Sequence, residues 1–219
     1  RRRWIVRLLT EQAREEGIEQ HGHVPQPPYI HRGDAAPDVD RYQTVYARES
    51  GSVAAPTAGL HFTTGLLDEL NARGVRRIDL LLHVGAGTFK PVEVENPSQH
   101  MMHSEHFEVT QSAANDFNAV RDAGRKVWAV GTTSARTLET IVRDDGRLHA
   151  SAGETDLFIT PGFQFRAVDR LITNFHLPRS TLLMLVAAFA GYDLAMEAYR
   201  VALAGDYRFY SYGDAMLIT

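Results

Sequence analysis

The patterning of the chain predicts an α/β fold, and three observations carry that expectation. From about residue 41 onward, short β-branched or apolar runs alternate with helical runs. The helical runs tend to open on Thr or Ser and to close on Gly, residues that satisfy helix ends. The most apolar of them, Ser180 to Ala190, carries no charge. It is too short for the roughly 20 residues a bilayer needs, so it reads as a helix buried in protein.

Taken in order, Arg1 to Leu9 reads as a strand and Thr10 to Gly22 as a charged helix. His23 to Ile30 is proline-rich, extended and near polyproline II, and marks a boundary. Arg32 to Asp40 reads as a linker, and Arg41 to Ala47 resumes strand alternation. Thr63 or Thr64 caps a helix through Leu66, Leu67 and Leu70, closed by Gly74; Arg77 to Val84 is an apolar strand, and His106 to Val109 is strand-like. Thr110 caps Ala113 to Ala123, closed by Gly124, then Lys126 to Val130 is a strand and Ser134 to Arg143 a helix.

The chain is organised around Asp156 to Gly191. A β-branched and aromatic run breaks at Pro161-Gly162, a strand resumes at Leu171-Ile172, and Ser180 caps the apolar helix after a turn set by Pro178. Helix Tyr192 to Ala204 and strand Ala215 to Ile218 complete the pattern, with sheet order open and no internal repeat.

Composition limits the chemistry. None of the 219 residues is cysteine, which excludes disulfides, thiolate nucleophiles, thiolate zinc sites and iron–sulfur clusters. A net charge of −4 and a pI near 6.2 give no global basic field, so any RNA contact has to be local and shape-driven. Arg1-Arg2-Arg3 is followed by only a short apolar patch, so no secretory signal is expected. The start without Met, in mid-pattern, suggests a preceding segment.

Six stretches carry polar groups suited to chemistry. In Ala54 to Phe62, small residues and a glycine let backbone approach a ligand, and His61 offers a donor or base; a structural turn is the bland alternative. Leu81 to Lys90 runs a strand into Gly85-Ala86-Gly87-Thr88, but the third glycine of a dinucleotide loop is missing, which rejects a Rossmann site; His83 reads as a core histidine ahead of a catalyst, with its place just before the glycine loop favouring the second. His100, His103, Glu105 and His106 lack the HExxH spacing of a metalloprotease. A carboxylate beside an imidazole, serving as acid or base, is preferred there over a metal.

Val127 to Arg136 is a strand, a glycine turn and a hydroxyl-rich helix start, in which Thr132, Thr133 and Ser134 could cradle an anion and Arg136 could grip it; plain N-capping is the alternative. Thr173 to Ser180, with Asn174 and His176, places polar groups where the chain is about to be buried, at the end of a strand where α/β proteins bind ligands. Tyr207 to Met216 offers Tyr210 and Tyr212 for stacking on a nucleobase and Asp214 as an acceptor; ordinary strand material is the alternative.

In this order, PTAGLHF, HVGAGTFKPV, HMMHSE, VGTTSARTLE, TNFHLPRSTLLMLVAAFAG and YRFYSYGDAM closely resemble the S-adenosylmethionine:tRNA ribosyltransferase-isomerase (QueA) family of queuosine biosynthesis, and VPQPPYI and RYQTVYA extend the likeness back to about His23. The resemblance implies a mixed-sheet α/β catalytic domain over residues 31–219. Residues 1–30 would then be the C-terminal remnant of a small all-β barrel domain and its linker, because the family has a longer N-terminal portion. It also implies a bacterial cytoplasmic enzyme, expected to be monomeric and without membrane attachment, that needs no metal or other cofactor and consumes S-adenosylmethionine as a substrate.

The other substrate would be tRNA carrying a modified wobble guanine, an aminomethyl-7-deazaguanine. The amine would receive the ribosyl portion, giving epoxyqueuosine with release of adenine and methionine. On this resemblance the acid and base roles fall among His83, His103, Glu105 and His176. Thr132, Thr133, Ser134 and Arg136 would bind carboxylate or phosphate, and Tyr210, Tyr212 and Asp214 would stack on or orient the base. His61, Gly85, Gly87, Thr88, Asn174 and Ser180 would complete the substrate site. The competing readings are a non-catalytic RNA- or nucleotide-binding fragment and a metal hydrolase built on His100, His103 and His106.

Overall fold

A computed structural model describes residues 17, 21–27, 29–33, 35–85 and 102–219. Its elements are α1 (Ala36–Arg41), a 3-10 helix (Thr57–His61), α2 (Thr64–Ala72), β1 (Leu81–His83), β2 (Glu105–Val109), α3 (Gln111–Asp122), β3 (Trp128–Val130), α4 (Thr132–Ile141), β4 (Ser151–Thr155), β5 (Arg170–Asn174), α5 (Thr181–Ala190), α6 (Tyr192–Ala204) and β6 (Ala215–Ile218). The α/β class is as expected. The strands form two small sheets, ordered β1-β2-β4 and β3-β5-β6.

The first sheet is antiparallel, with Leu82 opposite Phe107 and Phe107 opposite Gly153. β2 shows a half-buried alternation: Glu105, Phe107 and Val109 face inward while His106 and Glu108 face out. The second sheet is mixed. β3 lies parallel to β5, with Val130 opposite Ile172, and β6 lies antiparallel to β5, with Asn174 opposite Ala215.

Side chains at their expected caps start the helices. Thr63, Thr110 and Ser180 each accept a backbone N–H from the first turn, at 3.1, 3.2 and 3.1 Å. α1, α4 and α6 lack such a side-chain cap: Ala35 precedes α1, and Gly131 at φ 91° and Gly191 at φ 86° precede α4 and α6, a left-handed conformation that glycine adopts without penalty. The main core joins the sheets to α3, α4 and α5 through Phe107, Val109, Phe117, Leu138, Leu171 and Leu185. A second cluster packs α5 against α6 through Val186, Ala187, Ala195 and Tyr199, and Ile218 of β6 touches both. Glu139 of α4 is buried, and its carboxylate accepts the backbone N–H groups of Arg166, Ala167 and Val168 at 2.9, 2.9 and 3.0 Å, which fixes the approach to β5.

Three local expectations need correction. Arg41 to Ala47 is not a strand; α1 occupies the expected linker and ends in a turn. The alternation there comes from a loop that buries Tyr42 and Thr44. Residues 156–160 carry no strand, whereas Ser151–Thr155 forms one that was not expected. SAGET has only one β-branched residue, and it is recruited by pairing with β2, a tertiary effect that local propensity does not contain. The readings for residues 1–16, 18–20 and 86–101 lie outside the described residues. Among the described residues no single helix is long and apolar enough to cross a membrane.

Gly213 gives a direct test of the fold. A Cβ there would overlap the backbone of Arg208 and Phe209, whereas one at Gly65 in α2 would meet nothing within 4 Å. Gly213→Ala is expected to lower unfolding free energy by about 2 kcal/mol or more, and Gly65→Ala to leave it unchanged or raise it by up to about 1 kcal/mol. Denaturant melts of both variants measure this, and equal stabilities would contradict the packing described.

Candidate active site

A cavity of about 210 Å³ lies at the carboxyl ends of the parallel strands β3 and β5. In open parallel sheets this is where side chains and helix starts can converge on a ligand without interrupting strand pairing. Four stretches far apart in sequence line it: residues 54–58, 130–134, 173–182 and 210–211, joined by Tyr29 and Val84. The starts of α4 and α5 therefore both border it, and their first-turn N–H groups are donors that no intrahelical carbonyl uses.

The stretches are clasped by Asn174, the last residue of β5, which is 2% exposed. Its Oδ1 accepts from the Thr57 hydroxyl at 3.2 Å, while Nδ2 donates toward Tyr210 O (3.2 Å), Gly213 O (3.3 Å) and His61 Nε2 (3.3 Å). Two backbone carbonyls can only accept, so they fix the amide orientation and make His61 Nε2 an acceptor, with its ring proton on Nδ1. Two amide hydrogens serve three acceptors, so at least one contact is shared.

His176 follows directly. Its ring Nε2 lies 2.8 Å from the Thr173 hydroxyl, and its backbone N–H donates to the Tyr199 hydroxyl at 2.7 Å. Burial pushes its pKa down to about 4, so the imidazole is neutral at physiological pH. It lines the cavity and keeps partial access to it. The same burial pushes the Tyr199 phenol up to about 12, keeping that hydroxyl protonated.

Among the described lining residues no side chain is a carboxylate, lysine or arginine. The polar lining is hydroxyls, the Asn174 amide and the His176 imidazole. The two described non-glycine residues with positive φ, Arg179 at 54° and Tyr210 at 72°, are both here. Arg179 sits between lining residues Pro178 and Ser180, and Tyr210 is itself in the lining. Such strain persists where surrounding structure imposes it and gathers at functional sites.

The sequence-derived candidates divide accordingly. Thr132, Thr133, Ser134, Asn174, His176, Ser180 and Tyr210 are in the cavity lining. His61 is exposed and reaches the site through Asn174. Tyr212 is turned away, its hydroxyl donating to Asp38 at 3.1 Å and its ring set edge-on to Tyr42. Asp38 also accepts from Gln26, Arg32 and the Ala35 N–H, and the Arg32 hydrogen bonds hold its carboxyl well below the usual carboxylate range. Asp214 closes its own loop by accepting the Arg208 N–H at 2.7 Å.

Arg136 and Glu105 form a buried ion pair at 3.0 Å, 4% and 5% exposed at their side chains, so Arg136 is committed to Glu105 and to Leu157 O rather than to the cavity. Burial raises the Glu105 pKa, and Arg136 opposes that shift. His83 stacks on His106 across β1 and β2, with centroids 5.9 Å apart, and only its neighbour Val84 reaches the cavity. His103 and Gly85 are exposed and outside the lining; Gly87, Thr88 and His100 lie outside the described residues. Among the described residues no three His, Asp or Glu side chains cluster to hold a metal.

Tyr29 and Thr173 are lining groups that sequence reasoning did not single out as site residues. Tyr29 meets Ser211 at 2.6 Å and packs on Tyr210 with centroids 4.9 Å apart, a contact across 182 positions with no local signature. Thr173 had a signal, as a hydroxyl beside the apolar pair Leu171-Ile172.

A family described as queuosine biosynthesis protein matches residues 1–218. An S-adenosylmethionine:tRNA ribosyltransferase-isomerase of Symbiobacterium thermophilum is 61% identical over 214 residues, 98% of this chain and 62% of that protein. One of Ralstonia pickettii is 61% identical over 202 residues, 92% of this chain and 56% of that protein. The chain therefore spans roughly three-fifths of the length of these relatives. The crystal structure of an S-adenosylmethionine tRNA ribosyltransferase from Thermotoga maritima superposes with a TM-score of 0.62 at 48% identity, covering 74% of this chain and 51% of that one.

Two outcomes test the site. Because the His176 pKa is depressed, its contribution to stability is intact above pH 6.5 and is lost as pH falls toward 4. Between pH 7 and 4 the parental protein is expected to lose roughly 2 kcal/mol more than His176→Gln, read from urea melts; parallel losses would contradict the assignment. Asn174→Asp is expected to be more destabilising than Asn174→Ala, because a carboxylate would face the Tyr210 and Gly213 carbonyls. The reverse order would dissolve the clasp.

Proposed function

The chain belongs to the queuosine biosynthesis protein family, and from that premise we propose that it is the catalytic part of an S-adenosylmethionine:tRNA ribosyltransferase-isomerase. It consumes S-adenosylmethionine as a substrate and requires neither metal nor cofactor. The ribosyl portion passes to the aminomethyl group of a 7-deazaguanine at the tRNA wobble position, and adenine and methionine leave. Residues 31–219 are the catalytic domain, and residues 1–30 are the end of a small β-barrel domain with its linker. The enzyme works as a cytoplasmic monomer without membrane attachment.

The observation that carries this reading is the convergence of four family stretches on one cavity that offers hydroxyls, two helix starts and one neutral imidazole. A sulfonium acidifies the neighbouring ribose C–H, so the reaction needs a base beside it. His176 is the group in the lining whose neutral form suits that task near pH 7. The N–H groups and hydroxyls of Thr132, Thr133 and Ser134 take the methionine carboxylate, since a helix start stabilises an anion without a fixed cation. Tyr210, backed by Tyr29, supplies an aromatic face for the base. Glu105 of β2 acts indirectly by anchoring α4 through its ion pair with Arg136, and His83 and His103 are not assigned to the chemistry.

Release of adenine from S-adenosylmethionine in the presence of tRNA bearing the aminomethyl base tests the reading. The parental protein is expected to release it, His176→Ala to reduce the rate by about a hundredfold or more, and His103→Ala to stay within about threefold. A protein that retains the tRNA but releases no adenine would be a binding module instead.

A further inference from the structure

We propose that Thr173 is a positioning residue of this site: its hydroxyl engages His176 Nε2 and thereby presents Nδ1 as the ring nitrogen that meets the substrate. The inference rests on the ribosyl-transfer reading for what Nδ1 does, but its geometry stands apart from it. Thr173 is 1% exposed and sits in β5 opposite Met216, so its backbone is fixed by strand pairing on one side and its side chain has little room to change rotamer. Its Oγ1 lies 2.8 Å from Nε2, and the Tyr199 hydroxyl holds the His176 backbone N–H at 2.7 Å. Ring and backbone are thus each restrained by a hydroxyl.

Nδ1 has no protein partner among the described residues, and both Thr173 and His176 are in the lining. A neutral imidazole carries one proton. With that proton on Nε2 and donated to Oγ1, the Nδ1 lone pair is open to accept a proton from an acidified C–H. A threonine hydroxyl can accept from or donate to Nε2, and in either case the contact occupies Nε2 and leaves Nδ1 as the ring nitrogen toward the substrate; the accepting hydroxyl is the form proposed. This differs from the usual arrangement in which a carboxylate orients a catalytic histidine, and it orients the ring without raising its basicity through an adjacent negative charge. The proton balance is simple. The ribose C–H bond breaks, its proton goes to Nδ1, and the electron pair stays on the carbon beside the sulfonium.

The test pairs Thr173→Val with Thr173→Ser and reads two properties of the full chain. Ring nitrogen-15 NMR, with His176 assigned by its loss in His176→Gln, is expected to show the parental proton on Nε2, a tautomer mixture in Thr173→Val and recovery in Thr173→Ser. Adenine release at saturating substrate is expected to fall about ten- to a hundredfold in Thr173→Val, with KM within about threefold, and to return to within about threefold in Thr173→Ser. A parental proton on Nδ1, or a Thr173→Val protein with unchanged tautomer and turnover, would overturn the proposal. An Nε2 tautomer set by Thr173 in a protein that releases no adenine would support the positioning and sink the ribosyl-transfer reading.

Discussion

The carboxamide of Asn174 is the constraint on which the candidate site depends. A strand end, a 3-10 helix and an aromatic loop meet at one buried side chain, which bonds the Thr57 hydroxyl and the Tyr210 and Gly213 carbonyls. An unpaired buried polar group costs about 1–3 kcal/mol, so the amide makes the three segments mutually dependent. Further ties support it: Tyr210 N–H donates to Phe175 O, Tyr29 meets Ser211, and Tyr212 donates to Asp38. The parallel pair β3 and β5 supplies the rigid floor on which this assembly rests.

Electrostatics follow from the same construction. No charged side chain stands in the described lining of the cavity. Glu105 of β2 pairs with Arg136 of α4, and Asp38 with Arg32 anchors the segment that carries Tyr29. A buried pair contributes little net stability, but removing one member strands the other at a cost of several kcal/mol. The site proper is left with oriented N–H groups, hydroxyls and a neutral imidazole. Such a lining can hold a substrate carrying its own opposite charges, because the dipoles are fixed before binding and need little reorganisation.

Much of this was legible in the sequence, and the exceptions have physical causes. Caps at Thr63, Thr110 and Ser180 are local chemistry, which is why those helix starts could be read directly. β4 could not, because SAGET becomes a strand only by pairing with β2. At the site, hydroxyl-rich and histidine-containing stretches were visible as candidates, but side-chain direction was not. Tyr210 and Tyr212 are two positions apart, yet one borders the cavity and the other turns to Asp38. Arg136 reads as an anion ligand at a helix start, and its buried pairing with the distant Glu105 has no local signature. Tyr29 was unreadable because its meaning lies wholly in Ser211 and Tyr210.

The central claim is that four stretches bind one nucleoside together. Hydrogen–deuterium exchange of the chain with and without S-adenosylmethionine addresses it most directly. The account predicts concerted added protection at residues 54–58, 130–134, 173–180 and 210–213, with the exposed face of β1 and β2 unchanged. Protection confined to one stretch, or centred on His83 and His106, would contradict it.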